Sequence, residues 1–158
     1  MSFQVSGLPL APFAPLFGSS DTELARQDIV RRTADRSPGF PCRVSLVDAV
    51  PGETLLLLNF EHLSVASPYR SRHAIYVREN AEEAVVAAGV VPEVLRRRLL
   101  SVRAFNGQGM MLDADVVDGQ EVEGVFERML ERHEVEYLHV HNAKPGCFAA
   151  RVDRYGAR

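Results

Sequence analysis

The sequence predicts an α+β fold, a largely antiparallel sheet with one long helix at about 119–133 and short helices packed on it. Three observations carry that expectation. Apolar runs of strand length, bounded by turn residues, recur along the chain; the clearest is Thr54–Phe60, with Leu55, Leu56, Leu57 and Leu58 in succession. Val122, Val125, Phe126, Met129 and Leu130 follow the stripe of a helix buried on one face. The order of elements, many strands, two small helices, one long helix and a final hairpin, suits strands paired antiparallel.

Residues 1–20, rich in Pro, Gly, Ser and Phe, read as an extended arm. Phe3, Leu8, Phe13, Leu16 and Phe17 can pin it to the rest of the chain without a regular element. Ser20 with Glu23 forms a capping-box pattern that starts a short helix over 21–27. Strands are expected at Ile29–Thr33 and Val44–Leu46, separated by the turn residues Pro38, Gly39 and Pro41. After Thr54–Phe60, Ser67-Pro68 breaks the chain before a strand at His73–Arg78. Asn80 with Glu83 predicts a helix over Ala81–Ala88, ended by Gly89. Pro92 suits the first turn of another, running into Arg96, Arg97 and Arg98.

Leu99–Phe105 and the alternating stretch after the Asn106-Gly107 turn read as a strand pair. Asp118 caps the long helix, and Arg132 and His133 complement the negative end of its dipole. Glu136–Asn142 and Cys147–Asp153 form the last hairpin across residues 143–146. A single domain covering 1–158 is expected.

Composition narrows the function classes. At 46% hydrophobic and 25% charged, the chain has the make-up of a soluble globular protein. A net charge of −3 argues against nucleic acid as a partner, which calls for a basic field. No apolar stretch approaches the roughly 20 residues of a membrane span. Met1 to Phe17 lacks a basic start and is cut by Pro9, Pro12 and Pro15, so a cytoplasmic location is expected. Lys144 is the only lysine, which leaves Schiff-base chemistry one candidate, in a turn. Dinucleotide, Walker, GxSxG and HExxH patterns do not occur.

The candidate site residues cluster at element ends. His139 and His141 share one face of a strand, about 6.6 Å apart along it, so both can ligate one ion, with zinc the natural candidate. Cys42, Cys147, His62 and His73 are the candidates for further ligands. The plainer alternative is that these histidines hydrogen-bond locally and no cofactor is held. With a four-residue loop, His141 opposes Phe148 and Asn142 opposes Cys147. His139 and His141 then share a face with Phe148, Ala150 and Val152, away from Cys147. Cys42 or a histidine is the candidate reactive group, with Glu61 or His62 as a base. Arg43 and Arg70 are placed to hold an anion, with Tyr69, His73, His139, Asn142 and Cys147 around them. A solvated loop with local ion pairs explains the polar residues around Glu61 and Arg70 more simply.

Pro38-Gly39-Phe40-Pro41-Cys42-Arg43, Gly52-Glu53 before the leucine run, Ser67-Pro68-Tyr69-Arg70, His139-x-His141-Asn142-Ala143 and Gly146-Cys147-Phe148 occur together. In that combination, over roughly residues 3–155, the chain resembles a bacterial family of uncharacterised proteins, domain of unknown function 1203. The resemblance implies no activity.

Three functions stay open at this level. The first is a protein binding a small, anionic molecule in a Cys/His/Arg-lined pocket, with or without catalysis. The second is a metal-binding protein using His139 and His141. The third is a non-catalytic interaction module, which includes self-association as a homo-oligomer.

Overall fold

The computed structural model describes residues 2–156, and its eight strands and three α-helices fall into two antiparallel sheets. β1 (Phe3–Ser6), β8 (Phe148–Arg154), β7 (Tyr137–Asn142), β5 (Leu99–Phe105) and β6 (Met111–Asp118) form a five-stranded sheet in that spatial order. β2 (Val30–Thr33), β3 (Thr54–Leu63) and β4 (Ser71–Arg78) form a smaller one. The α+β class and the antiparallel pairing agree with expectation, but the sheet is divided in two.

Each sheet has its own core. α3 (Val122–Glu131) lays Val122, Phe126, Met129 and Leu130 on Leu100, Val102, Leu138, Val140 and Val152 of the large sheet. Leu56, Leu58, Ile75 and Val77 of the small sheet pack with Phe13, Leu24, Cys42 and Val44. The leucine run therefore serves two faces, since Leu55 joins a separate cluster with Phe40 and Ala49.

The long helix is shorter than its pattern predicts. Residues 119–121 form a 3-10 turn, and α3 proper ends at Glu131 because Arg132 is extended. The Asp118 carboxylate accepts from the Gln120 N–H at 2.8 Å, as the capping expectation requires. At the other end the Arg154 guanidinium of β8 donates to the carbonyls of Leu130, Arg132 and Val135. A side chain from the sheet thus closes the helix terminus. α2 (Glu93–Arg96) follows Pro92 as expected, and α1 (Asp21–Ala25) begins with the predicted Ser20–Glu23 capping box.

Three local expectations are corrected. The start of the arm is a strand: β1 pairs with β8 from Phe3↔Arg154 to Ser6↔Arg151, which a reading of prolines further on conceals. Residues 44–46 form a turn, with the Leu46 N–H on the Cys42 carbonyl and Leu46 at φ 54°. Residues 81–87 form no helix or strand, and 88 lies in a turn. Their backbone bonds outward: Ala84 N–H to Val44 O, and the Gln4 amide to Val86 O. Glu83, expected to cap that helix, instead accepts from the Leu10 N–H. Burial alternates, with Ala84 and Val86 against the core and Val85 wholly exposed, so tertiary bonding overrides helix propensity.

The strand β1 makes a sharp prediction. Phe3 is 2% exposed and meets the Phe126 ring at 5.2 Å, edge to face. Phe3→Ala is expected to lower stability by about 3–5 kcal/mol in urea denaturation, whereas a passive arm would lose well under 1. Gly119 supplies a second. An added Cβ there meets the Leu95 carbonyl oxygen at 2.0 Å, so Gly119→Ala must push α2 off the start of α3. A fall in melting temperature of several degrees is expected, and an unchanged value refutes this packing.

Candidate functional site

The two sheets meet where the turn after Pro41 reaches the β7–β8 hairpin, and Arg43 makes the junction. Its guanidinium is 2% exposed and uses all three nitrogens. Nε donates to the Phe148 carbonyl at 2.7 Å, Nη1 to the Pro41 carbonyl at 2.6 Å, and Nη2 to the Cys147 sulfur at 2.9 Å. The Arg43 backbone N–H reaches Tyr76 O on β4 at 3.0 Å. Burial pushes the guanidinium below its ordinary value, and the Cys147 sulfur opposes that fall more than the Cys42 sulfur does, with Arg98 adding to it. No carboxylate appears among its hydrogen-bond partners; the polarisable sulfur takes the place one would hold.

Beside Arg43 opens a cleft of about 740 Å³ between the two sheets. Arg36, Arg43, Arg97, Arg98 and Lys144 line it, together with His73, Asn142 and Cys147, and no Asp or Glu does. Asp48, with a side chain only 2% exposed, lies behind Arg98 and Arg97 at 2.6 and 3.3 Å and offsets part of that charge. Asn142 comes with Cys147 as the loop parity predicts. The Asn142 N–H donates to the Cys147 carbonyl at 2.9 Å and its side-chain amide to the sulfur at 3.6 Å. The buried Asn142 Oδ1 has no partner.

A second group forms on the far side of the same hairpin. His139 and His141 of β7 meet His62 of β3, with one ring nitrogen from each lying within 4.8 Å of the others. Two irregularities of the sheets bring this about. The β3–β4 register shifts between Phe60 and Leu63, turning His62 toward the large sheet. The β7–β8 register shifts between Val140 and His141, so Phe148 opposes His141 while Arg151 opposes His139. Phe148 therefore lies on the histidine face, stacked on His62 at 5.3 Å, as expected. Ala150 and Val152 oppose Val140 and Leu138 on the helix side, contrary to the simple parity. Burial, the largest cause in each case, pushes His62 down to about 4 and His139 and His141 to about 3. At neutral pH all three are uncharged imidazoles.

The remaining candidates lie elsewhere. Cys42 is 1% exposed in the small-sheet core, its sulfur accepting from the N–H groups of Ser45 and Arg78, and it does not line the cleft. Glu61 points to the surface pair Arg70 and Arg72, at 2.9 and 3.8 Å. A hydrogen bond from Ser64, then Arg70, holds its carboxyl below the usual range. Tyr69 is exposed and touches Phe105 with its ring edge at 6.3 Å. Thus Glu61, Tyr69 and Arg70 form a surface cluster of their own, outside the cleft lining.

Sequence reading missed Arg36, Arg97, Arg98, Arg103 and Lys144. The expected helix after Pro92 runs into residues 96–98, but only Arg96, paired with Glu123, lies within α2. Arg103 is the register partner of His139, a relation visible only once β5 is known to neighbour β7. Among the described residues no helix is long and apolar enough to cross a membrane.

Arg43 can be tested directly. Arg43→Met leaves the Phe148 and Pro41 carbonyls buried without their donor, so a loss of about 2–4 kcal/mol is expected in urea denaturation. Arg43→Lys, with one donor group in place of a fork, should recover only part of it. Wild-type stability in the methionine variant would show that the guanidinium does not hold the junction.

Residues 39–154 match the family described as protein of unknown function (DUF1203), and the chain belongs to that family. No curated protein and no solved structure matches the chain.

Proposed function

For this member of a family without an assigned activity, we propose that the chain binds a small anionic molecule in the cleft between its sheets. The observation that carries the reading is the lining: five cationic side chains, Arg36, Arg43, Arg97, Arg98 and Lys144, and no carboxylate. Walls of one sign around a low-dielectric hollow concentrate the opposite charge. Arginine forks recognise carboxylate and phosphate groups in two-point fashion. The volume lies within the range of small-molecule sites, about 300–1,000 Å³.

Within that reading the residues divide by reach. Arg36 and Lys144, on exposed loops, capture the anion. Arg97 and Arg98, set by Asp48, orient it. His73 and Asn142 offer further polar contacts, and the Cys147 sulfur lies at the inner wall beside Arg43. Cys147 is the side chain best placed to react with a bound molecule, whereas Cys42 serves packing. Two buried free thiols suit a reducing bacterial cytoplasm, where small anionic metabolites are abundant.

A thermal-shift panel of carboxylates and phosphate esters tests the proposal. Wild type should be stabilised by at least one of them at millimolar concentration, with the gain shrinking as salt rises. Arg36→Glu combined with Lys144→Glu changes two exposed side chains and should abolish that gain without changing the unliganded melting temperature by more than a degree or two. No stabilisation by any anion, or equal stabilisation of the double variant, overturns it.

A further inference from the structure

We propose that His62, His139 and His141 bind one divalent transition-metal ion of the imidazole-preferring kind, such as zinc, and that Arg103 holds an anion at its open position. This site is separate from the anion cleft and does not rest on it. The first support is geometry. Three imidazoles from two sheets present ring nitrogens within 4.8 Å of one another. A tetrahedral ion with bonds of about 2.0–2.1 Å needs them roughly 3.3 Å apart. Rotation of His62, the least buried of the three, supplies the remaining approach and leaves a path from solvent.

Second is the hydrogen bonding. His141 Nδ1 lies 2.8 Å from the Gly146 carbonyl, which can only accept, so Nδ1 carries the proton and Nε2 presents its lone pair. Metal-bound histidines are held this way by an outer carbonyl. The Nδ1 atoms of His62 and His139 are buried and have no hydrogen-bond partner. Native proteins rarely leave two such atoms together, because a buried polar atom without a partner is costly. An ion drawing on these rings accounts for both.

Third is the shape of the surroundings. Phe105, Tyr137 and Phe148 wall the group with rings 5.0–5.5 Å from His139, and among the described residues no carboxylate joins it to complete the shell. Three protein ligands and a free position describe a site that takes an exogenous ligand. Arg103 Nη1 lies 3.5 Å from His141 Nε2, a contact it gives up when an ion takes that lone pair, and Arg103 Nε donates to the Ser101 hydroxyl at 3.3 Å. A bare cation facing a guanidinium is repelled; a metal-bound anion is attracted to both. The arginine therefore selects for an ion that carries an anionic ligand.

Cobalt(II) substitution of chelator-treated, untagged protein tests both halves. One equivalent per chain is expected, with the intense visible absorption of tetrahedral cobalt. His62→Asn should weaken binding by more than about 100-fold, beyond what an outer partner is worth. Arg103→Met should keep cobalt binding but lose the spectral change that azide or phosphate produces in wild type. X-ray absorption of the wild-type zinc form needs no variant and should show three imidazole ligands. An oxygen-only shell, or cobalt binding indifferent to His62→Asn, would overturn the metal site. An anion response unchanged in Arg103→Met would overturn the role of Arg103.

Discussion

A single buried guanidinium joins the two halves of this fold, and most of what is distinctive about the molecule follows from its placement. Arg43 stands where the turn after Pro41, the edge strand β4 and the first residue of β8 converge, and it satisfies a carbonyl from each of them. A charge taken out of water is costly unless its donors are all used. Here each nitrogen donates once, to backbone or sulfur, so the position of the β7–β8 hairpin relative to the small sheet is set by directional bonds and not by apolar packing alone. The two main cores stay apart, with α3, Phe3 and Val5 on the large sheet and α1 and Phe13 on the small one, while Leu63 of β3 packs across the junction on Phe105 and Tyr137.

That separation creates room for two polar hollows on either side of one hairpin. On one side the loop residues and the end of α2 bring arginines around Cys147. On the other, two register shifts aim His62 and Phe148 at the histidine pair. A regular ladder would have pointed His62 away and placed Phe148 differently. Bulges are how sheets re-aim side chains, and both sit where a polar residue is needed rather than where packing demands it.

Much of this was legible in the residues, for identifiable reasons. Strands β3, β5, β6, β7 and β8 announce themselves because their apolar runs end at Gly, Pro and Asn. The four-residue loop 143–146 made the Cys147–Asn142 pairing readable, since opposed residues share a face. The HxH pair could be recognised from its spacing of two. Its third member could be named only as one of four candidates, because the place of His62 depends on a bulge and on two sheets meeting. Likewise the helix expected at 81–88 fails because Gln4, Val44 and Leu10 claim its polar groups, and none of them is near it in the chain. Arg97 and Arg98 read as helix-end cations until Asp48, some 50 residues earlier, is seen to fix them.

The pairing of β1 with β8 has a consequence for how the chain acquires its shape during synthesis. Phe3 pairs with Arg154, so β1 can find its place only after β8, some 150 residues later, has followed it out of the ribosome. Until then Phe3 and Val5 have no sheet to join, and the outer edge of β8 has yet to form. The small sheet can assemble from its own β2–β4 segment well before that. Ordering is therefore expected to run from the middle of the chain outward, with closure of the long-range pair the slowest event, as its large loop entropy dictates.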